Sequence, residues 1–431
     1  FGGWAIDLHP ADGVYSSQNG CIQYHSKGIY EIPYSCYCSR DIRNLFLAGR
    51  CLSASHVAHG STRVMATSGF GAQAIGMAAA LCLQKGVLPA DLTRPEFMRL
   101  LQQRLNLAGQ SIPGIRIDSA GNLAASARIS ASSELRLAEI PFDGGWMPLD
   151  YSAAQLLPLK AGVRYRFEIE VEACEATVLE AELRYAAKPF NYTPDMTAER
   201  VRIPVETGTC KLSVVFTGTV PSDQYGFVTF LKNNALRIRS SKARYTGIVS
   251  VFNKFNEAVN NNGRQTPPAG SGIDAFEFWC PDRRPAGQNI AMRITPAIEA
   301  FSPSNVVNGF VRPTVTANAW CAAFGDKMPR LSFCWDVPQR IGRIRLFFDT
   351  DYDHALESVQ MGHPERVIPF CVQGYRILDG HGNVVCECTD NHQTINDIRL
   401  KETLETDRLA IVVEHPSSEV AAALFQIHIE A

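Results

Sequence analysis

The stretch from Asn44 to Ala80 reads NLFLAGRCLSASHVAHGSTRVMATSGFGAQAIGMAAA and decides the fold of the first part of the chain. Its short apolar run, Leu45 to Ala48, predicts a strand that ends at Gly49-Arg50. A polar turn with two histidines follows, and a run of small residues then predicts a helix that starts near Ser61 to Arg63. Strand, tight turn and helix in this order offer a helix N-terminus to a nucleotide cofactor in α/β folds.

Length and charge narrow the classes of protein. The chain has 431 residues, with 41 basic and 43 acidic side chains and a net charge of -2. This length is enough for two or three domains with sizeable cores. The near-balance of charge argues against a nucleic-acid partner, because phosphate recognition needs a basic surface.

The first residue is Phe1 and no signal peptide precedes it. We therefore expect a piece of a longer polypeptide whose targeting segment lies elsewhere. The compartment, cytoplasmic or periplasmic, stays open.

The run from Val64 to Leu83 is uncharged over the length of a membrane span. It consists mostly of Ala, Gly, Ser and Thr, however, and Gln73 lies in its middle. We expect this helix to pack closely against a sheet and a cofactor, and we predict no membrane span.

Thirteen cysteines are scattered along the chain, most of them beside apolar residues. This pattern favours buried free thiols. The two C-x-C pairs, 36/38 and 386/388, lack the C-x-x-C spacing of zinc and redox sites. The sequence therefore predicts no metal site.

From about residue 110, apolar and polar residues alternate in short runs that are typical of strands with one buried face. Many short strands without helical patterns between them predict β-sandwich or jelly-roll folds. The Asn-, Gly- and Pro-rich stretch 260–272 predicts a linker, and a second all-β unit follows it.

Five sequence blocks, in order, resemble the closing segment of the flavin-binding fold in a family of bacterial FAD-dependent oxidoreductases. They cover about a fifth of the chain and read GGWAIDLHP (2–10), GIYEIPY (28–34), NLFLAGR (44–50), SASHVAHGSTRVMAT (53–67) and GAQAIGMAAA (71–80). The resemblance implies hydride transfer to FAD from a small-molecule substrate, with a carbohydrate-derived compound as one candidate. The fold class that we predict is multidomain and mainly β. It comprises a partial α/β FAD-binding segment (1–108) and two jelly-roll-like β-sandwiches (109–262 and 263–431).

The resemblance also implies the site residues. The candidate catalytic residues are Asp7, His9, His56 and His59. The candidate cofactor-binding residues are Gly49, Arg50, Ser53, Ser61, Arg63, Gly71, Gln73 and Gly76. Here the helix N-terminus would face the flavin ring, Gly49 would admit the ribityl-phosphate and Arg50 would pair with a phosphate.

Simpler interpretations stay open for several of these residues. His59 could be a hydrogen-bonded surface residue, and Arg63 could pair with a nearby carboxylate. Gly71 and Gly76 could serve helix packing alone.

The glycine fingerprint G-x-G-x-x-G of the flavin-binding fold is absent from the chain. The glycines at 69, 71 and 76 have the wrong spacing and lie inside a predicted helix. We therefore expect this chain alone to bind FAD poorly or not at all and to be inactive. Self-association, or a separate N-terminal chain, could complete the site.

Residues 304–313, 318–320 and 338–346 resemble the discoidin-type (galactose-binding-like) β-sandwich. The resemblance implies sugar or surface binding, with Trp279 and Trp320 as candidate stacking residues, although a buried core position is the favoured interpretation for both. The alternative function is therefore a carbohydrate- or surface-binding module protein with a vestigial flavin segment.

Overall fold

A computed structural model describes the chain except residues 19, 25, 189, 190, 192, 254–263, 268, 271–274, 278, 282–288 and 351–369. The chain divides into two compact units. The first comprises residues 1–115, 190–195 and 253–280, and the second comprises residues 116–189, 196–252 and 281–431.

The described residues contain three α-helices: α1 (His56–Thr62), α2 (Met65–Lys85) and α3 (Pro95–Leu107). Short 3-10 helices cover Gly13–Tyr15, Tyr34–Tyr37, Gly49–Cys51, Pro89–Thr93, Leu123–Ser126 and Pro303–Val307. The described strands, β1 to β24 in chain order, are Ile6–Leu8, Ile22–Tyr24, Arg128–Ala131, Leu137–Ile140, Trp146–Leu149, Ala153–Leu159, Arg166–Ala173, Thr177–Tyr185, Met196–Val205, Gly208–Val215, Gln224–Phe230, Asn233–Ser241, Val249–Phe252, Arg264–Gln265, Phe276–Glu277, Cys280–Pro281, Asn289–Ile290, Met292–Ile298, Trp320–Cys321, Arg330–Phe348, Tyr375–Leu378, Val384–Cys388, Ile395–Val413 and Ala423–Glu430.

The strand predicted at Leu45–Ala48 is wrong. Only Phe46 forms an isolated bridge, with Cys38, and Gly49 already belongs to a 3-10 helix. A strand needs a neighbour along its whole length, and the described residues provide one at a single position.

The predicted small-residue helix consists of two helices. It begins earlier than predicted, because the Ser55 hydroxyl caps α1 by accepting from the Ala58 amide at 3.3 Å. It is then interrupted at Val64, whose extended backbone (φ -68°, ψ 150°) makes it the N-cap of α2. The second helix ends at Gly86, whose φ of 64° is the left-handed conformation that glycine adopts readily.

The first unit has its core between α2 and α3. Apolar residues of α2, Ala78, Leu81 and Cys82, pack with Leu101 and Leu105 of α3. The apolar spacing after Pro95 predicts a helix up to Gly109 with Thr93 at its N-cap; α3 confirms the helix, but its N-cap is Arg94. The Thr93 hydroxyl instead donates to the Ala90 carbonyl at 2.7 Å.

Among the described residues, α2 is long and apolar enough to cross a membrane by length and composition, with a mean hydropathy of 1.3. Core helices of soluble proteins also meet these two criteria, and a third of this helix is buried within the protein.

The second unit is built from β-sheets, which confirms the mainly β prediction. One sheet has the order β17-β12-β7-β18-β4, with β10 on β7 and β5 on β12, and a second contains β13-β6-β11-β8-β9. A third has the order β19-β24-β20-β23-β21-β22, with β3 on β20. Alternating burial along β7 shows the half-buried face that its sequence predicts.

The third sheet departs from the prediction in strand length. The apolar runs at 330–335 and 342–348 predict two separate strands, but they form one 19-residue strand, β20. Its register with β23 shifts between Cys334 and Gln339 and again between Ile341 and Arg343, so bulges allow the long strand to bend. The sequence DGHGN at 379–383 predicts a hairpin turn, which is confirmed, since β21 and β22 pair antiparallel on either side of it.

Most of the predicted linker lies outside the described residues, as does the predicted boundary at 262. The division into 1–108, 109–262 and 263–431 therefore stays a prediction. The expectation of mostly buried thiols is wrong for most described cysteines. All of these are free, but only Cys82, Cys321 and Cys371 are buried.

Candidate functional site

The candidate site is built where α1 lies against the hairpin of β1 and β2. The hairpin pairs Asp7 with Gln23, and Gly60 of α1 faces its first strand. A Cβ atom at Gly60 would lie 2.8 Å from the Asp7 carbonyl oxygen. The absence of a side chain at this position therefore lets the helix approach the strand.

Asp7 is the centre of a polar cluster. Cys21 donates its thiol to Asp7 Oδ1 at 2.9 Å, and His9 Nε2 lies 3.4 Å from Oδ2. Arg63 donates to the Asp7 carbonyl at 3.2 Å and lies 3.6 Å from Oδ2. The carboxylate, 19% exposed, is thus held from three sides. Burial and the neighbouring carboxylate raise the pKa of Cys21, which keeps it a neutral thiol.

A second set of contacts fixes Ser61. Its hydroxyl donates to the Trp4 carbonyl at 2.7 Å and shares a hydrogen bond with the Tyr30 hydroxyl. Burial raises the pKa of Tyr30, and its hydrogen bond with Ser61 opposes this only in part. Ser61 is 4% exposed, so the structure places this predicted cofactor residue inside the protein.

The N-terminus of α2 follows directly and has no side-chain cap. The amide of Ser68, which donates to the Val64 carbonyl at 2.9 Å, makes the first intrahelical bond. The amides of the three residues before it are the donors that a helix leaves open at this end. Met65 is 91% exposed, so this end reaches the surface. The hydroxyls of Thr62 and Ser68, on either side, are buried and have no partner among the described residues.

The candidate histidines lie in two places. His9 belongs to the Asp7 cluster, and its Nδ1 lies 2.7 Å from the Gly20 carbonyl. His56 and His59 lie one turn apart on α1, the first exposed and the second half-buried. Neither α1 imidazole makes a hydrogen bond among the described residues.

The other predicted cofactor residues are spread over the first unit. Gly49 has a φ of 58°, which is the conformation that requires glycine, and Arg50, Ser53 and Gln73 are exposed. A Cβ atom at Gly71 would lie 2.5 Å from the Tyr37 hydroxyl, so Gly71 serves close packing.

A Cβ atom at Gly76 would face open space, so close packing does not explain this glycine. The structure therefore brings Asp7, His9 and Arg63 together but records no contact from them to the exposed candidates.

Cys21 is the residue of this cluster that sequence reasoning missed. Its thiol reaches Asp7 only because β1 and β2 pair, and the local sequence does not predict that pairing. Among the described residues, no group of three or more His, Cys, Asp or Glu side chains is arranged to hold a metal ion.

A known protein family matches the part of the chain that contains this site. Residues 1–105 match the FAD dependent oxidoreductase family. The match includes the Asp7 cluster, α1, α2 and all but the last two residues of α3. No curated protein matches the chain.

Solved structures resemble part of the chain at low identity. The family 32 carbohydrate-binding module of Streptococcus pneumoniae EndoD is 13% identical, covering 31% of this chain and 87% of its own, with a TM-score of 0.24. Chitosan-binding module 1 of a Paenibacillus sp. IK-5 chitosanase/glucanase is 14% identical, covering 31% and 86%, with a TM-score of 0.23. The family 32 module of C. perfringens NanJ, solved with galactose, is 14% identical, covering 29% and 82%, with a TM-score of 0.22. TM-scores this low do not show that this chain binds the ligands of these modules.

The first unit has two features that are typical of anion-binding sites. The N-terminus of α2 has no side-chain cap, and Gly49 forms a left-handed turn beside the exposed Arg50. Gly69 and Gly71 form no pyrophosphate-binding turn in the described part of the chain, since both lie within α2 and Gly71 packs against Tyr37.

Proposed function

We propose that residues 1–105 are the flavin-facing segment of an FAD-dependent oxidoreductase whose substrate is a small molecule, with a carbohydrate-derived compound as one candidate. The family match over these residues carries the proposal. The open N-terminus of α2, beside the Asp7 cluster, supports it.

Each part of the site has a role in this proposal. Bound FAD would supply the hydride acceptor. The open amides of α2 would stabilise negative charge on the reduced ring. Arg63, tied to Asp7, positions the start of α2, because it is one of the two residues, with Val64, that separate the helices. The imidazoles of His56 and His59, which have no protein partner among the described residues, would exchange a proton with the substrate.

We further propose that this chain alone does not retain FAD. The pyrophosphate and adenosine need a glycine-rich turn between a strand and a helix, and the sequence contains none. The isoalloxazine end would then bind weakly by itself.

A second candidate function is carbohydrate or surface binding by the β-sandwich part, which the blocks at 304–313 and 338–346 support. Trp279 and Trp320 are both 0% exposed, so stacking on a sugar would have to use other side chains. Binding of galactose to the whole chain, measured by calorimetry, tests this candidate, and an absence of heat at millimolar sugar would contradict it.

The test of the flavin proposal uses lumiflavin, which is the ring system without ribityl phosphate or adenosine. The chain should bind dithionite-reduced lumiflavin saturably in a fluorescence or absorbance titration. Met65→Asp adds a negative charge at the open end of α2, which repels the reduced ring and should weaken this binding roughly threefold. The same charge stabilises the helix, so weaker binding would not result from a lost helix.

Ala80→Asp is the matched control, because residue 80 is exposed on the same helix but far from its N-terminus. It should leave the affinity unchanged. Equal effects of the two variants, or no saturable binding, would contradict the proposal.

A further inference from the structure

A cavity of about 420 Å³ lies in the first unit, between α2, α3 and the segment before them. Its walls are mainly apolar and aromatic, and they include Tyr34, Tyr37, Ala74, Met98 and Leu101. Concave, mainly apolar spaces of this size are typical of small-molecule sites. None of the residues of the Asp7 cluster lines it.

Gln110 supplies a buried polar group in the cavity lining. It is 5% exposed, and its Nε2 donates to the Phe70 carbonyl at 3.1 Å. That bond fixes the amide orientation, since the oxygen would be repelled by a carbonyl. The remaining atom, Oε1, is buried and has no hydrogen-bond partner among the described residues. A buried acceptor without a donor is unfavourable, so this atom calls for a ligand donor or an ordered water.

The other polar groups of the lining restrict the ligand further. Tyr34 already donates its hydroxyl to the Pro89 carbonyl at 2.8 Å. Glu31 adds a carboxylate at an exposed part of the lining, which disfavours an anionic ligand. Gln102 and Phe1 also belong to the lining, and the remaining walls are mainly apolar.

We propose that this cavity binds a small, uncharged, mainly apolar molecule whose hydroxyl or N–H group donates to Gln110 Oε1. Most of the lining belongs to residues 1–105, but neither the Asp7 cluster nor Met65 at the open end of α2 is part of it. Aromatic walls and a buried acceptor without a partner among the described residues match a flat ring with a single donor.

Indole and 1-methylindole test the proposal on the whole chain, because they share a shape and differ in the N–H donor. Calorimetry or ligand-observed NMR should show indole binding at one site, roughly three- to tenfold tighter than 1-methylindole. Ala74→Phe fills the cavity and should abolish indole binding. Ala72→Phe adds the same ring to an exposed position of α2 and should leave it intact.

The pair of probes keeps the test valid if a variant folds poorly, since it requires only the unaltered chain. Equal affinities for the two probes would overturn the role of Gln110. Absence of saturable indole binding, or binding that survives in a folded Ala74→Phe variant, would overturn the site.

Discussion

Arg63 donates to the backbone carbonyl of Asp7 at 3.2 Å and places the same guanidinium 3.6 Å from the Asp7 carboxylate. This contact joins the end of α1 to β1, across 56 residues of sequence. Because α2 starts two residues later, the contact also positions the open helix end that we assign to the flavin ring.

Removal of this contact should destabilise the first unit. We expect Arg63→Ala to lower the free energy of unfolding by about 1 to 2 kcal/mol, since it removes a charged donor from a partly buried carbonyl. Urea unfolding measures this change. Arg50→Ala, at an exposed position nearby, should stay within about 0.5 kcal/mol, and an equal loss in both variants would contradict the assignment.

The close approach of α1 to β1 gives a second prediction. Gly60→Ala places a methyl group 2.8 Å from a backbone oxygen that cannot rotate away, so we expect a loss of about 1 to 3 kcal/mol. Gly76→Ala, in the helix facing open space, should instead gain about 0.5 to 1 kcal/mol. Thermal unfolding of both variants checks the opposite signs, and a stabilising Gly60→Ala would refute the packing described.

A pair between two long strands should make stability depend on pH. Arg343 Nε and NH2 each lie 2.5 Å from an oxygen of Asp397, and these hydrogen bonds lower the pKa of the carboxyl below its usual range. A lowered folded-state pKa means that the pair stabilises the fold fully above the unfolded pKa of about 4. The contribution is lost as the pH falls through the lower folded-state value.

The difference in unfolding free energy between the unaltered chain and Asp397→Asn should therefore be large near about pH 6 and shrink toward about pH 2. Urea unfolding at several pH values measures it. Asp336→Asn, which removes an exposed partner of Arg128, is the control and should show little change at any pH. A difference for Asp397→Asn that does not vary with pH would contradict the linkage.

Thiol reactivity should follow burial. Burial raises the pKa of Cys371 to about 12, and the side chain is 1% exposed, whereas Cys51 is exposed. Iodoacetamide should alkylate Cys51 in the native protein at least roughly tenfold faster than Cys371, because the thiolate is the nucleophile. Peptide mass spectrometry measures both rates, and comparable native labelling of Cys371 would show that this side chain is not buried as described.

Local patterns predicted the structure where local rules decide it. The apolar spacing after Pro95 predicted α3, and period-two alternation predicted strands such as β8 and β22, since each pattern lies within its own element. The run at 45–48 looked equally strand-like, but a strand exists only when a partner pairs with it, and partners are set by the whole fold.

The candidate site also depends on long-range contacts that local sequence patterns do not specify. Asp7, His9 and Arg63 were identified by resemblance, and the structure brings them together. Ser61 was expected to face a cofactor, whereas its hydroxyl is bonded inside the protein to Trp4. That orientation depends on helix rotation against the hairpin, which no sequence spacing specifies.

The most direct test of the central claim compares FAD with lumiflavin on the same chain. We expect FAD and lumiflavin to bind weakly and saturably, with similar affinity, and the protein to be colourless after desalting. The affinities should be similar because the chain has the open helix end for the flavin ring but lacks the glycine-rich turn that would bind the pyrophosphate of FAD. Flavin absorbance retained through desalting at one FAD per chain would contradict the missing pyrophosphate site, and an absence of lumiflavin binding would contradict the flavin-facing segment.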